Sequence, residues 1–178
     1  MQLIIAEKPK VAQKIAQSLA QGEIAKKKGS GKAYYFEIER HGKKIVVAPA
    51  VGHLYSLDEK IKSNSYPTFD IEWREAYAVS EESKYTKDYI KTIESLAKKA
   101  DEVIIACDYD IEGSLIGFNV LRFAAKKSDG KRMKFSSLTK EELIEAYENK
   151  KDLDLENALA GEARHILDWF YGINLSRA

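Results

Sequence analysis

The chain has 178 residues, enough for one domain with at most a short second piece. Hydrophobic residues make up 44% and support a real core, while 29 Lys and Arg against 28 Asp and Glu leave no global field, so any nucleic-acid contact must come from a local patch. Cys107 is the lone cysteine, which excludes an internal disulfide and a cysteine-based zinc site and fits a reducing cytoplasm. No apolar run approaches the roughly 18 residues of a membrane helix, and "MQLIIAEKPK" opens in a strand pattern, not a signal peptide.

In chain order, "LIIA" at 3–6 reads as a short buried strand. "KVAQKIAQSLA" sets Val11, Ile15, Ala16 and Leu19 at helical spacing, with Pro9 near the helix start. "EIAKKKGSGKAYY" is polar and broken by glycine, so it is expected to be a loop, and "AYYFEIERHGKKIVVAPA" a hairpin turning near His41 and Gly42. Residues 51–73 show little periodicity and are expected to form a long irregular surface segment. "YTKDYIKTIESLAKKA" is a helix with Tyr85, Tyr89, Ile93 and Leu96 on one face. "EVIIAC" is a second buried strand, "EGSLIGFNVLRFAAKK" a helix and "KRMKFSSL" a third strand. "TKEELIEAYEN" is a helix with Thr139 as N-cap and Glu142 completing a capping box. "LDLENALAGEARHILDWFYGINL" is helical, with a break or bend expected near Gly161.

Buried strands alternating with helices predict an α/β fold with a largely parallel central sheet flanked by helices. Sites in such sheets form at the carboxyl ends of the strands. Glu7 follows the first strand; Asp108, Asp110 and Glu112 in "ACDYDIEG" follow the second. If those strands are neighbours, four acids meet on one rim. Three acids within five residues repel unless something positive compensates. Oxygen donors at this spacing suit Mg²⁺, with Mn²⁺ as a substitute, acting on phosphate. Simple helix capping by Asp and Glu accounts for the same motif about as well. Glu7 is placed to act as general acid or base, and Lys8 to meet a phosphate.

Together, "IIAEKPKVAQKIA" and "ACDYDIEGSLIGFNVL" resemble the two motifs of the Toprim domain, specifically that of type IA DNA topoisomerases of the archaeal topoisomerase I or III-like group. "APAVGHLYSL", "KFSSLTKEELIEAY" and "GEARHILDWFYGINLSRA" resemble three further segments of that family, in order. The resemblance implies a Toprim domain over 1–150, and over 151–178 the helical start of the following topoisomerase domain. It implies Glu7 as the catalytic acid or base, Asp108, Asp110 and Glu112 as a magnesium site, and Lys8, Arg164 and His53 as DNA contacts. The activity implied is Mg-dependent transient cleavage and rejoining of one strand of supercoiled DNA through a 5′-phosphotyrosine. The partners implied are a single-stranded DNA segment and the remaining domains of the same polypeptide, with no membrane. The location implied is the cytoplasm, at the nucleoid.

The chain departs from the family pattern at three places: Ile111 stands where Arg is usual, Ser114 where a second Glu is usual, and His165 where the second Arg of A-R-R is usual. None of the ten tyrosines lies in a motif matching the family's nucleophile, so the chain is expected to be the N-terminal piece of a larger enzyme, inactive alone. Reverse gyrase, a standalone Toprim nuclease or primase-like protein, and a DNA-binding module without chemistry are the other readings. Trp73, Trp169 and Phe170 suit base stacking, though packing explains the last two better. Cys107 is expected to pack inside its strand.

Overall fold

A computed structural model describes residues 1–63 and 65–178. Nine strands and six α-helices follow one another as β1 (Gln2–Ala6), α1 (Pro9–Leu19), β2 (Ala25–Lys28), β3 (Tyr34–Arg40), β4 (Lys43–Pro49), β5 (Tyr55–Glu59), β6 (Ile71–Glu75), α2 (Ala76–Val79), α3 (Thr86–Ala97), β7 (Glu102–Ala106), α4 (Ile111–Asn119), β8 (Lys131–Arg132), α5 (Lys140–Glu148), β9 (Lys151–Asp152) and α6 (Leu155–Arg177) among the described residues. Seven strands form one sheet in the order β2-β3-β4-β1-β7-β8-β9. Its centre, β4-β1-β7-β8, is parallel, and both margins are antiparallel. The expected α/β class with a parallel centre is what the chain adopts.

The period of two along β1 explains the layering. Leu3 and Ile5 face one core with Val46, Val103 and Ile105, covered by Ile90, Ile93 and Leu96 of α3 and by Ile116 of α4. Ile4 and Ala6 face the other, with Ile45, Val47 and Ile104, covered by Val11 and Ile15 of α1 and Leu143 of α5. A sheet buried on both faces needs strands that are apolar where they are buried, and β1 and β7 are, after Gln2 and Glu102 at their starts.

Several expectations change. The lysine run at Ala25–Lys28 is not loop but an edge strand, paired antiparallel with β3; its exposed lysines are what an unprotected edge tolerates. The segment 51–73, expected to be irregular, contains β5 and, with β6, a separate two-stranded hairpin, Tyr55 opposite Glu75; position 64 within it lies outside the described residues. The third strand is only Lys131–Arg132. Thr139 does cap α5, accepting from the Glu142 amide at 3.4 Å, but the Glu142 carboxylate turns to the Ser136 amide and the Ser136 and Ser137 hydroxyls, so the box is half formed. These donors hold the Glu142 carboxyl down at about 2.

Gly161 does not break α6, which runs unbroken for 23 residues. Glycine is there for close approach: a Cβ would meet the Ile111 carbonyl oxygen of α4 at 2.5 Å. The far end of α6 is tied to the hairpin, where Arg177 grips buried Glu59 through both guanidinium ends at 2.7 and 3.0 Å.

Gly161→Ala should force α6 off α4 and cost about 1–3 kcal/mol, as overpacking does; unchanged urea midpoints would refute the contact. The Arg177 hydrogen bond holds the Glu59 carboxyl down from 4.5 to about 2. A depressed acid adds stability that is present above its unfolded value and lost as pH falls through its folded one. The stability gap between wild type and Glu59→Gln should therefore be full at pH 7, shrink below about pH 4.5 and vanish near pH 2. A gap independent of pH in urea titrations would count against the pair.

Candidate catalytic acid site at the strand rim

The strands β1 and β7 pair parallel and in step, Ala6 opposite Ala106. The chain leaving each strand therefore emerges at the same height. Glu7, with its side chain 12% exposed, accepts from the Asp108 amide through Oε2 at 3.2 Å. Lys8 Nζ lies 3.1 Å from Glu7 Oε1 and 3.1 Å from Asp108 Oδ2, bridging the two carboxylates. Hydrogen bonds to Asp108 and Glu7 raise the lysine above its usual value.

Asp110 plays the capping role. Its Oδ1 accepts from the Gly113 amide at 2.7 Å and starts α4. A Cβ at Gly113 would collide with the Asp108 carbonyl, so the glycine of "DYDIEG" lets the helix begin directly over the strand end. Glu112, in the first helical turn, is engaged by residues of other elements. Its Oε2 lies 3.2 Å from His53 Nε2 and 2.8 Å from His165 Nε2, and its Oε1 lies 3.6 Å from Arg164 Nη1. Burial pushes the Glu112 carboxyl up, but His165 and His53 outweigh it and hold it below its usual value. Burial, together with His165, holds His53 below the usual imidazole value.

His53 is delivered by a tight turn. The Ala50 amide donates to the Ala6 carbonyl at 2.7 Å and the Gly52 amide to the Glu7 carbonyl at 3.1 Å. Between them Val51 sits at φ 56°, an outlier for a β-branched residue, and such strain gathers where surroundings enforce a site.

The structure thus brings Glu7, Lys8 and Asp108 together, makes Asp110 a cap, and joins Glu112 to His53, His165 and Arg164. Asp108, Asp110 and Glu112 are not gathered on one point. Among the described residues the one trio of metal-capable donors whose ligand atoms lie within 4.8 Å of one another is His53, Glu112 and His165. Cys107 is buried, its thiol pushed up to about 12 by burial. Trp73 donates its N–H to Glu162 at 2.6 Å, beneath Arg122, and is engaged inside the protein.

Arg132 escaped the sequence reading. Its side chain is fully buried, and its guanidinium forks onto the Cys107 and Asp108 carbonyls at 2.7 Å each. It locks the backbone that carries Asp108. Lysines 131 and 134 flank it in the same basic run, so periodicity alone does not mark it. Beside Asp108 opens a groove of about 590 Å³, lined by Tyr109, Lys134, Ser136 and Ser137 among others.

A family model described as the Toprim domain matches residues 2–138. The chain belongs to the Toprim domain family. DNA topoisomerase 1 of Methanocaldococcus jannaschii is 52% identical over 178 residues, and that of Pyrococcus furiosus 50% over 181. Each alignment covers 99% or more of this chain, but only 23% and 17% of those relatives. The full-length topoisomerase I structure of Thermotoga maritima superposes with a TM-score of 0.64 at 24% identity, covering 93% of this chain and 24% of that one, a likeness of fold. In this Toprim domain, Glu7 and the D-x-D-x-E-G motif stand where the paired parallel strands β1 and β7 end.

Arg132→Met should cost about 2–3 kcal/mol, because charged hydrogen bonds are lost and two carbonyls are orphaned. Arg132→Lys should rescue little, since an ammonium cannot fork across two carbonyls. Full recovery of the urea midpoint by lysine would show that charge alone matters.

Proposed function

We propose that this chain supplies the acidic site of a type IA DNA topoisomerase, which cuts and rejoins one DNA strand in the presence of Mg²⁺. The observation that carries the reading is the Lys8 ammonium held between Glu7 and Asp108 at the carboxyl ends of parallel strands. A cation already stands in a pocket of carboxylate oxygens, the donors a hard divalent ion takes. Asp108 and Asp110 would hold that ion, with Glu112 joining them once it turns from its histidines; the bound ion supplies charge neutralisation at a phosphate. The names of the 52% and 50% identical relatives support the same reading.

The residues of the chain have separable tasks under this reading. Glu7, fixed by the Asp108 amide, holds or releases a proton at the leaving oxygen. Lys8, more than half exposed, meets a backbone phosphate, and exposed Arg164 another. His53 orients Glu112. The groove beside Asp108 accommodates a single DNA strand. The reading takes 1–150 as the Toprim unit, with β9 at Lys151–Asp152 still on its sheet edge, and α6 as the lead into the next domain; Leu159, Leu167, Tyr171 and Leu175 of α6 are exposed apolar residues suited to cover by it. The nucleophilic tyrosine lies outside this chain, and the whole enzyme works in the cytoplasm, at the nucleoid. No helix among the described residues is long and apolar enough to cross a membrane.

Titrating Mg²⁺ or Mn²⁺ should show weak binding by wild type that an Asp108→Asn, Asp110→Asn double variant loses; equal binding would refute the site. With a labelled single-stranded oligonucleotide the chain should bind weakly and form no covalent adduct. Lys8→Gln should lower the salt slope of that binding by about 0.7, one phosphate's worth for a single strand. A denaturant-stable adduct abolished by changing one tyrosine of this chain would overturn the assignment of the nucleophile elsewhere.

A further inference from the structure

We propose that His53, Glu112 and His165 form a second cation site, selective for a transition-series divalent ion of the zinc class. Two imidazole nitrogens converge on a single carboxylate oxygen, at 3.2 and 2.8 Å, and all three ligand atoms lie within 4.8 Å of one another. Metal–ligand lengths of about 2.0–2.1 Å in a tetrahedral zinc site place neighbouring ligand atoms roughly 3.3 Å apart. The two histidine–carboxylate pairs therefore need to open by about half an ångström at most, and the two imidazole nitrogens lie within 4.8 Å of each other. The rings are not stacked: their centroids are 4.8 Å apart with planes tilted by 50°, so both edges point at the oxygen.

The donor chemistry sets the class. Imidazole with carboxylate suits zinc and its neighbours, whereas magnesium demands oxygens in an octahedron. Arg164 stands 3.6 Å from the other Glu112 oxygen, which leaves Oε2 as the single donor. The frame is built in advance. His53 rides on the turn held by the Ala6 and Glu7 carbonyls, and His165 on α6, one turn beyond the close contact at Gly161. Trp73, 6.1 Å from His165, walls one side. A hydrogen-bonded pair alone would require both histidines to carry a proton on Nε2 toward the same oxygen.

The site differs from the magnesium reading in every donor except Glu112, so failure of Mg²⁺ binding leaves it standing. The test uses the 178-residue protein, with Zn²⁺ followed by calorimetry and Co²⁺ by visible absorption. One ion should bind, and Co²⁺ should give an intense four- or five-coordinate band. His53→Gln and His165→Gln should each weaken binding about tenfold or more, at least the loss that follows from disturbing a ligand's support. Asp108→Asn should leave it unchanged. Should the histidine variants fail to fold, the proton spectrum of the wild-type Co²⁺ form decides: two shifted imidazole N–H signals support the site. Zn²⁺ affinity unaffected by both histidine changes, an equal loss in Asp108→Asn, or no shifted imidazole signals would overturn it.

Discussion

Two five-residue strands, Gln2–Ala6 and Glu102–Ala106, run parallel without stagger, and the acidic rim hangs from their carboxyl ends. Both are apolar because helices cover both faces of the sheet. That burial fixes the register, since a slip of one residue would turn Ile4 and Ile104 to the opposite core. The register in turn puts Glu7 beside Asp108. Buried Arg132 then ties the two carbonyls that follow β7, so the segment carrying Asp108 has little freedom to drift. The site is thus a consequence of core packing, reached through backbone.

The same rim explains how the protein tolerates four acids in a small space. Each has a compensating partner. Glu7 and Asp108 share the Lys8 ammonium, Asp110 takes the amide at the head of α4, and Glu112 takes two histidines and Arg164. Glu112 is held by partners that the other acids do not share. A hard cation entering at Asp108 has to compete with Lys8, which a nearby phosphate would draw off. Under the proposed function, metal and phosphate would then favour each other's binding through this one exposed lysine.

The centre of the fold was legible because strand and helix periods there are enforced by burial. "LIIA" and "VIIAC" have no polar position to mislead. The margins were harder to read. Ala25–Lys28 looks like a solvated loop because an edge strand exposes its side chains, and its pairing with Tyr34 to Glu37 is a non-local fact. The hairpin of β5 and β6 was hidden because 11 residues separate its strands and Asp58 and Glu59 are buried by ion pairing with Lys62 and Arg177, not by hydrophobicity. Glu7 and the D-x-D-x-E-G motif could be picked out by type and spacing. Arg132 could not, since its value lies in backbone carbonyls that carry no sequence signal. His165 was visible only as a mismatch where an arginine is usual.

That mismatch becomes intelligible through α6. Gly161 and His165 are four residues apart and so share a face. The glycine lets this face approach the start of α4, and the histidine one turn later reaches Glu112, the first acid inside that helix. Glu162, between them, binds both Trp73 of the hairpin and Arg122 beyond α4. A single turn of α6 thus fastens the hairpin, the helix and the third acid together. An arginine in place of His165 would keep a charge pair with Glu112, but it would carry only donors and no lone pair for a metal. Under the proposed second site, the histidine gives Glu112 a neighbour able to bind a metal, which an arginine could not be.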